Sequence, residues 1–485
     1  MSEPTFASAR ELAARIAERT LSSRELLEHY VARLERLNPP LNAVVTLDLE
    51  RARARADAAD AALARGESWG PLHGLPVTIK DTFETAGLRT TAGAPQYAEH
   101  VPATNAVAVQ RLVDAGCVVF GKTNAPFMGG DVQTYNPVFG VTNSAWNPAH
   151  TPGGSSGGAA TALAAGLTSF ELGSDIGGSI RTPAGWCGVY GLKPTYGIVP
   201  MRGHVPGPPG TLSSEDLCVA GPLARTAGDL ELLLDVLAGP LPDQSVAWRL
   251  TLPPARRTSL RDYRVAAWLD DPAYPVDAAV AERLRATVDA LRAAGVTVDE
   301  AARPAFALAD CMRTYQRLLY AVLTAGFPES AFDGLVSLAP SMDRDAADPF
   351  SRFVLFGTAR HRDWIFASEA RERFRAAMRD FFARHDVLLC PVTPVPAIRH
   401  DHGEPMTDRK ITVNGGERSY FDLFAWISLA TMTYCPAVAA PAGLTPAGLP
   451  VGLQIVGPYL EDRTPIDFAR RLAEVAGGFR APPGY

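Results

Sequence analysis

The chain is poor in lysine. Of its 46 basic residues only four, Lys80, Lys122, Lys193 and Lys410, are lysine, and the rest are arginine. An Ala- and Arg-heavy coding bias produces such a composition, so arginine serves wherever positive charge alone is needed. A retained lysine then marks a position requiring a compact amine, or one able to lose its proton, with chance retention as the competing explanation. A basic balance is also missing. The 52 acidic residues give a net charge of −6, which leaves no electrostatic footprint for nucleic acid or an acidic membrane surface. No stretch approaches the roughly 18 uninterrupted apolar residues of a membrane span, and residues 1–20 contain no apolar signal core. Cysteine is scarce, six in 485 residues, scattered in apolar surroundings. That argues against a disulfide framework and for a reducing, cytoplasmic setting. His400-Asp-His402 is the one metal-like grouping. Without a third ligand at helical spacing it reads as a solvated loop, so no metal and no cofactor are expected.

What is present is apolar material for a large core, 47% of the residues. The first part reads as helical. Residues 8–18 are amphipathic, Ser22-Ser-Arg-Glu25 is a capping box opening a helix to Leu37 that Pro39-Pro40 stops, and residues 50–65 form a helix ended by Gly66. The texture then turns to α/β. A strand over 76–79 leaves Lys80 just past its end, and helix 105–114 precedes strand 117–120. A small-residue helix over 157–165 precedes strand 167–172. Residues 189–210, rich in Gly and Pro, read as ordered loop. Further on come helices 226–238 and 277–294, the latter between strands 263–268 and 296–299. Strands 386–390, 437–440 and 451–456 and helix 466–476 complete the chain. The alternation predicts an α/β fold: a single compact domain with a central mixed β-sheet covered by helices on both faces. Within it, 1–66 would be N-terminal helices and 67–240 the catalytic core. Residues 305–382 would be a helical, aromatic-rich region, read first as core packing and second as the wall of a substrate cleft.

Two tempting motifs fail on physical grounds. Gly116 to Thr123 matches the nucleotide P-loop letter for letter, but its interior Cys-Val-Val-Phe is itself a strand, and Asn124-Ala-Pro126 blocks a helix starting at Lys122. Gly154-Ser-Ser-Gly-Gly158 fits the nucleophile elbow of α/β-hydrolases. That elbow needs an apolar strand before it, which the prolines of Asn147 to Pro152 forbid, and a later histidine. His204, His361, His385, His400 and His402 sit in no distinctive sequence setting.

Three other segments hold together. Leu75-Pro-Val-Thr-Ile-Lys80-Asp81, Pro152-Gly-Gly-Ser155-Ser156-Gly-Gly and Asp175-Ile176-Gly177-Gly178-Ser179-Ile-Arg181 place a lysine and two serines on Gly-rich or strand-end backbone. A serine hydroxyl is a poor nucleophile until a base removes its proton. A buried, uncharged lysine is such a base, a second serine can relay the proton, and N–H groups of a Gly-Gly-Ser turn can receive the charge of a tetrahedral intermediate. Asp175 and Arg181 bracket the turn and would brace it, and Ser156 would help organise the same network.

These segments, with Gly188-Val-Tyr-Gly-Leu-Lys-Pro-Thr195, Gly121-Lys-Thr-Asn124, Gly221-Pro-Leu-Ala-Arg225 and Gly448-Leu-Pro-Val-Gly-Leu-Gln454, resemble the amidase signature family in order and spacing over nearly the whole chain. The resemblance implies that Ser179 is the nucleophile that forms an acyl-enzyme. It implies that Ser155, joined to Gly154 by a cis bond, relays the proton, and that Lys80 is the base and later the acid. The N–H groups of Ile176, Gly177, Gly178 and Ser179 would form the oxyanion hole. Where the family carries a glycine before its last proline segment, this chain has Tyr434, which hints at an aromatic wall; Phe127 and Met128 fall in a region that lines the site in relatives. The expected substrate is a small or medium amide with an apolar or aromatic portion, with carbamates and esters open to the same acyl transfer. The expected enzyme has no nucleic-acid or membrane partner and is a monomer or homodimer. One alternative is the glutaminase subunit of a tRNA-dependent amidotransferase. Against it stand the long segment Ser213 to Gly221, and Thr182 where such subunits carry Gln. Another is a non-catalytic binding protein on the same scaffold.

Overall fold

The short apolar runs become strands because they are buried on both faces, as in β2 (Pro76–Lys80), where all five residues are inaccessible. The computed structural model describes residues 3–205, 207–343, 345 and 348–485. Ahead of β2 lies β1 (Val44–Leu47), and after it β3 (Val118–Thr123) and a small hairpin, β4 (Tyr135–Asn136) with β5 (Gly140–Val141). The core continues with β6 (Glu171–Asp175), β7 (Tyr190–Lys193), β8 (Val219–Ala224), β9 (Val265–Ala267), β10 (Val298–Asp299) and β11 (Val387–Pro391). A second hairpin, β12 (Lys410–Val413) with β13 (Gly416–Ser419), precedes the long pair β14 (Ala437–Leu444) and β15 (Pro450–Val456). Eleven of these strands form one mixed sheet in the order β1-β3-β2-β6-β8-β7-β14-β15-β11-β9-β10. Helices cover it on both faces, as the α/β alternation predicts. Residues 181–187 pack on β7, β14 and β15, and the 227–237 and 463–476 helices pack together against β8 and β14.

The helix starts follow their caps. The Ser22–Glu25 capping box is formed in both directions, Thr226 caps 227–237, and Asp277 caps 278–293. Other expectations need correction. The second helix does not stop before Pro39-Pro40 but runs from Ser23 to Leu41. A proline has a helix-compatible φ, and here the last turn is held by Asn38. Its Oδ1 accepts from the Ala43 and Val44 N–H groups at 3.0 Å, and Asn42 closes the helix in the left-handed region at φ 50°. The strand expected at 167–172 lies at 171–175, so Glu171 and Ser174 are strand residues in the middle of the sheet. Glu171 is buried there against the hydroxyls of Thr78 and Thr123, and burial pushes its carboxyl well above the usual range. The stretch 189–210 is not loop throughout, since β7 lies inside it, and β8 forms despite Gly221-Pro222. The helical block 305–382 resolves into helices 308–324, 329–338, 349–357 and 361–382. All six cysteines are free and buried. Among the described residues, no helix is long and apolar enough to cross a membrane, and no three His, Cys, Asp or Glu side chains stand where they could hold a metal ion.

Candidate active site

β2 and β6 are parallel neighbours, with Thr78 opposite Glu171 and Ile79 opposite Leu172. Their C-terminal ends therefore emerge side by side, the place where open α/β sheets gather reacting groups. Lys80 ends one strand, and Ser174 and Asp175 end the other. The helix over 157–164 follows the Ser155-Ser156 turn and packs on β2 and β6, which brings the turn to the same edge. Here the Lys80 Nζ meets the Ser155 Oγ at 2.6 Å and the Ser174 Oγ at 3.0 Å. The amine is wholly buried. Burial pulls its pKa down to about 7, against the smaller opposing pull of Cys218 and Asp175. Three of the four lysines are buried, but Lys122 donates to the Phe83 carbonyl and the hydroxyls of Thr85 and Thr90, and Lys193 to the Pro194 carbonyl. Lys80 alone meets two serine hydroxyls in these contacts. Asp81, next along the chain, turns away and bonds the Thr91 hydroxyl at 2.6 Å.

The Gly154–Ser155 bond is cis. Gly154 is required on steric grounds, because a Cβ there would fall 2.6 Å from the Asp131 carbonyl oxygen. Ser156 ties this turn to the next one: its N–H donates to the Ser179 carbonyl at 3.0 Å. Ser179 itself is 7% exposed, and its backbone is thereby tied to the Ser155-Ser156 turn.

The turn from Asp175 to Arg181 is shaped by one carboxylate. Asp175 accepts from the N–H groups of Gly178 (3.0 Å), Ile180 (3.2 Å) and Arg181 (3.3 Å), and from the Arg181 guanidinium at 2.8 and 3.0 Å. Burial pushes the carboxyl up, but the Arg181 charge and these bonds outweigh it and hold it below the usual range. Arg181 is anchored further to the Ile427 carbonyl, Gln454 and Thr431. The Gly178 N–H is committed to Asp175 and is not free for an oxyanion, whereas those of Ile176, Gly177 and Ser179 meet no acceptor among the described residues. Gly178 instead supplies conformation: its φ is +87°, and a Cβ would fall 2.8 Å from the Thr182 Oγ1.

The walls differ from expectation in one respect. Phe127 is half exposed, and the turn it opens places Gly129 against Ser155, a Cβ there coming within 3.6 Å of the Ser155 Oγ. Met128, in the same turn, takes a positive φ and donates its N–H to the Ala92 carbonyl. Tyr434, read as an aromatic wall, is buried. Its ring stacks on Tyr196 at 4.2 Å between the guanidinium groups of Arg371 (4.5 Å) and Arg375 (4.9 Å), and its hydroxyl donates to Asp216, which Arg371 also bonds at 2.6 Å. An aromatic surface reaches the Asp175–Arg181 turn from elsewhere. The Phe424 ring and the Tyr315 hydroxyl lie 2.9 and 3.3 Å from where a Gly177 Cβ would be, and Tyr315 donates to the Ile176 carbonyl at 2.8 Å. The 308–324 helix thus packs in the core and also touches this turn. Sequence reasoning also passed over Ser174 and His204. The His204 Nε2 lies 2.9 Å from the Ser174 Oγ, one hydrogen bond beyond Lys80. No local pattern marks it.

A mixed sheet with a buried lysine against a Gly-Ser-Ser turn, beside a Gly-Gly-Ser turn with free N–H groups, is the architecture of a hydrolase acting on carbon–nitrogen bonds. The family model described as Amidase matches residues 25–465. The chain therefore belongs to the amidase family, the amidase signature enzymes. A glutamyl-tRNA(Gln) amidotransferase chain of Synechococcus sp. (strain CC9902) is 35% identical over 481 residues, covering 94% of each chain. Among solved structures, one titled amidase is 29% identical with a TM-score of 0.78, covering 96% of this chain and 99% of that one. A 6-aminohexanoate cyclic dimer hydrolase is 26% identical with a TM-score of 0.80, covering 99% of both. The names of the curated relatives match the amidotransferase alternative rather than the apolar-amide expectation.

Proposed function

We propose that this enzyme cleaves an amide through an acyl-serine on Ser179, with Lys80 as the base and Ser155 as the relay between them. The observation that carries the reading is the 2.6 Å contact of a buried Lys80 Nζ with the Ser155 Oγ. Neutral Lys80 takes the Ser155 proton as Ser155 takes that of Ser179, and the Ser179 Oγ attacks the carbonyl carbon. The oxyanion faces the N–H groups of Ile176, Gly177 and Ser179. The proton returns through Ser155 to the leaving nitrogen, the amine departs, and water repeats the sequence to free the acid. Asp175, Arg181 and Ser156 hold the two turns in register.

The relatives' names support the amidotransferase-subunit reading, in which the amide cleaved would be that of glutamine and ammonia would pass to a partner protein. A second reading, a small or medium amide with an apolar or aromatic portion, is favoured by Phe424 and Tyr315 against the Gly177 backbone and by the half-exposed Phe127, two residues before the Gly129 that faces Ser155. Carbamates and esters fit the same chemistry. Six free, buried cysteines support a reducing, cytoplasmic setting. The purified chain is to be tested for ammonia release from glutamine and for hydrolysis of aliphatic and aryl amides, carbamates and esters, with Ser179→Ala as the blank. Turnover that vanishes in the blank supports the reading, and the substrate class chooses between the two versions. No turnover, together with no covalent labelling of Ser179 by a fluorophosphonate, overturns it.

A further inference from the structure

We propose that His204, acting through Ser174, is a positioning residue for Lys80: it ends a hydrogen-bonded chain that turns the lysine lone pair toward Ser155. The inference rests on Lys80 being the base of the proposed reaction. The Nζ has two partners here, the Ser155 Oγ at 2.6 Å and the Ser174 Oγ at 3.0 Å, and the Ser174 Oγ has His204 Nε2 at 2.9 Å. A neutral amine offers two N–H donors and one lone pair. To act as a base it must accept the Ser155 hydroxyl proton, so toward Ser174 it must donate. Ser174, having accepted, still holds its own proton, and the acceptor within reach is the His204 Nε2. The chain then runs from the Ser155 O–H to Nζ, from an Nζ–H to Ser174, and from the Ser174 O–H to Nε2.

The ring decides the direction. With its proton on Nδ1, Nε2 accepts and the chain runs as described. With a proton on Nε2, the ring donates to Ser174, Ser174 donates into the Nζ lone pair, and Lys80 shows Ser155 an N–H instead. That arrangement switches the base off. The fold holds the residue in place: His204 pairs with Phe83 in a β-bridge just beyond β2, its ring stands edge-on to Phe83 at 4.8 Å, and its backbone N–H donates to the Met201 carbonyl. It is 8% exposed, and burial together with the Lys80 charge brings its pKa down to about 3, so it carries no charge of its own. The other titratable groups about the pair are engaged elsewhere. Asp175 on β6 is tied to Arg181, and Asp81 on β2 to Thr91. Glu171 is held by Thr78 and Thr123, Lys122 on β3 by the Phe83 carbonyl and two threonines, and burial pushes the Cys218 thiol well up. None of these is bonded to the Ser174 hydroxyl.

Donation to His204 makes the Ser174 oxygen a better acceptor for the lysine ammonium. Removing the ring acceptor lets the Ser174 hydroxyl turn into the Nζ lone pair, which favours the neutral amine and misdirects it. The test is the pH dependence of Ser179 labelling by a small fluorophosphonate, separated into kinact and KI, for the wild type, His204→Leu, His204→Gln, Ser174→Ala and Lys80→Ala. His204→Leu is expected to lower kinact about tenfold to a hundredfold, leave KI unchanged and move the acid limb to lower pH. His204→Gln, which keeps an acceptor near the Nε2 position, restores most of the rate. Ser174→Ala must move the limb the same way, and decides the matter also where leucine is not tolerated. An unmoved acid limb in His204→Leu or Ser174→Ala, with Lys80→Ala dead, overturns the role of His204 alone. Wild-type labelling in Lys80→Ala would remove the base itself and this inference with it.

Discussion

Replacing Asp175 with asparagine tests whether a buried charge pair shapes the turn that carries Ser179. The side chain keeps its volume but loses an acceptor. Of the two carboxylate oxygens, Oδ1 accepts from the Gly178 N–H and the Arg181 Nη2, and Oδ2 from the Ile180 and Arg181 N–H groups and the Arg181 Nε. An amide nitrogen in either place turns two or three donors against a donor and leaves the Arg181 guanidinium, wholly buried, without its counter-charge. Breaking a buried pair by removing one partner costs about 3–5 kcal/mol, chiefly through the stranded charge. Urea unfolding should show that loss as a lower midpoint at unchanged slope. Fluorophosphonate labelling of Ser179 should slow in the folded variant, because Gly178 is no longer held from below. The double variant Asp175→Asn, Arg181→Met should lose less than the sum of the single variants, since no charge is stranded. The pH dependence has a defined sign. Asp175 is held below its usual range in the folded protein, so its contribution is present above the unfolded-state value near ~3.9 and is lost as pH falls through the lower folded value. A cost below about 1 kcal/mol with wild-type labelling would refute the argument, because the pair would then be incidental.

Gly178→Ala places a Cβ at φ +87° and 2.8 Å from the Thr182 Oγ1; with a left-handed cost of about 1–2 kcal/mol it should slow Ser179 labelling at least about tenfold, and normal labelling would show the turn to be tolerant. Tyr434→Phe removes the hydroxyl bonded to Asp216 but keeps the ring between Tyr196 and Arg371. It should cost about 1–3 kcal/mol of stability with little change in Ser179 labelling, and the opposite pattern would return Tyr434 to the substrate wall.

The segments that meet at the site were readable one by one, because each Gly-Ser run, and the short strand that ends at Lys80, is a local pattern. Their meeting was not, since it depends on the parallel pairing of β2 with β6, a contact between residues about ninety positions apart. β8 escaped because Gly221-Pro222 weakens a strand signal, and burial between β6 and β7 overrides that weakness. The helix that runs through Pro39-Pro40 shows the same limit: the Asn38 side chain supplies the hydrogen bonds that the two prolines do not. Tyr434 was read from what it replaces, but the surrounding arginines and Tyr196 decided where its ring goes. His204 was invisible because its partner Ser174 lies 30 residues away, beyond the 181–187 helix and β7, and no local pattern links the two.

The scarcity of lysine makes the decisive measurement simple. Protein labelled with 13C at the lysine Cε has four side-chain signals, and the one absent from Lys80→Met belongs to Lys80. With its amine buried, that signal should titrate near pH 7. A titration near 10.4, where an ordinary lysine loses its proton, would mean a charged amine at neutral pH and no base for the serines.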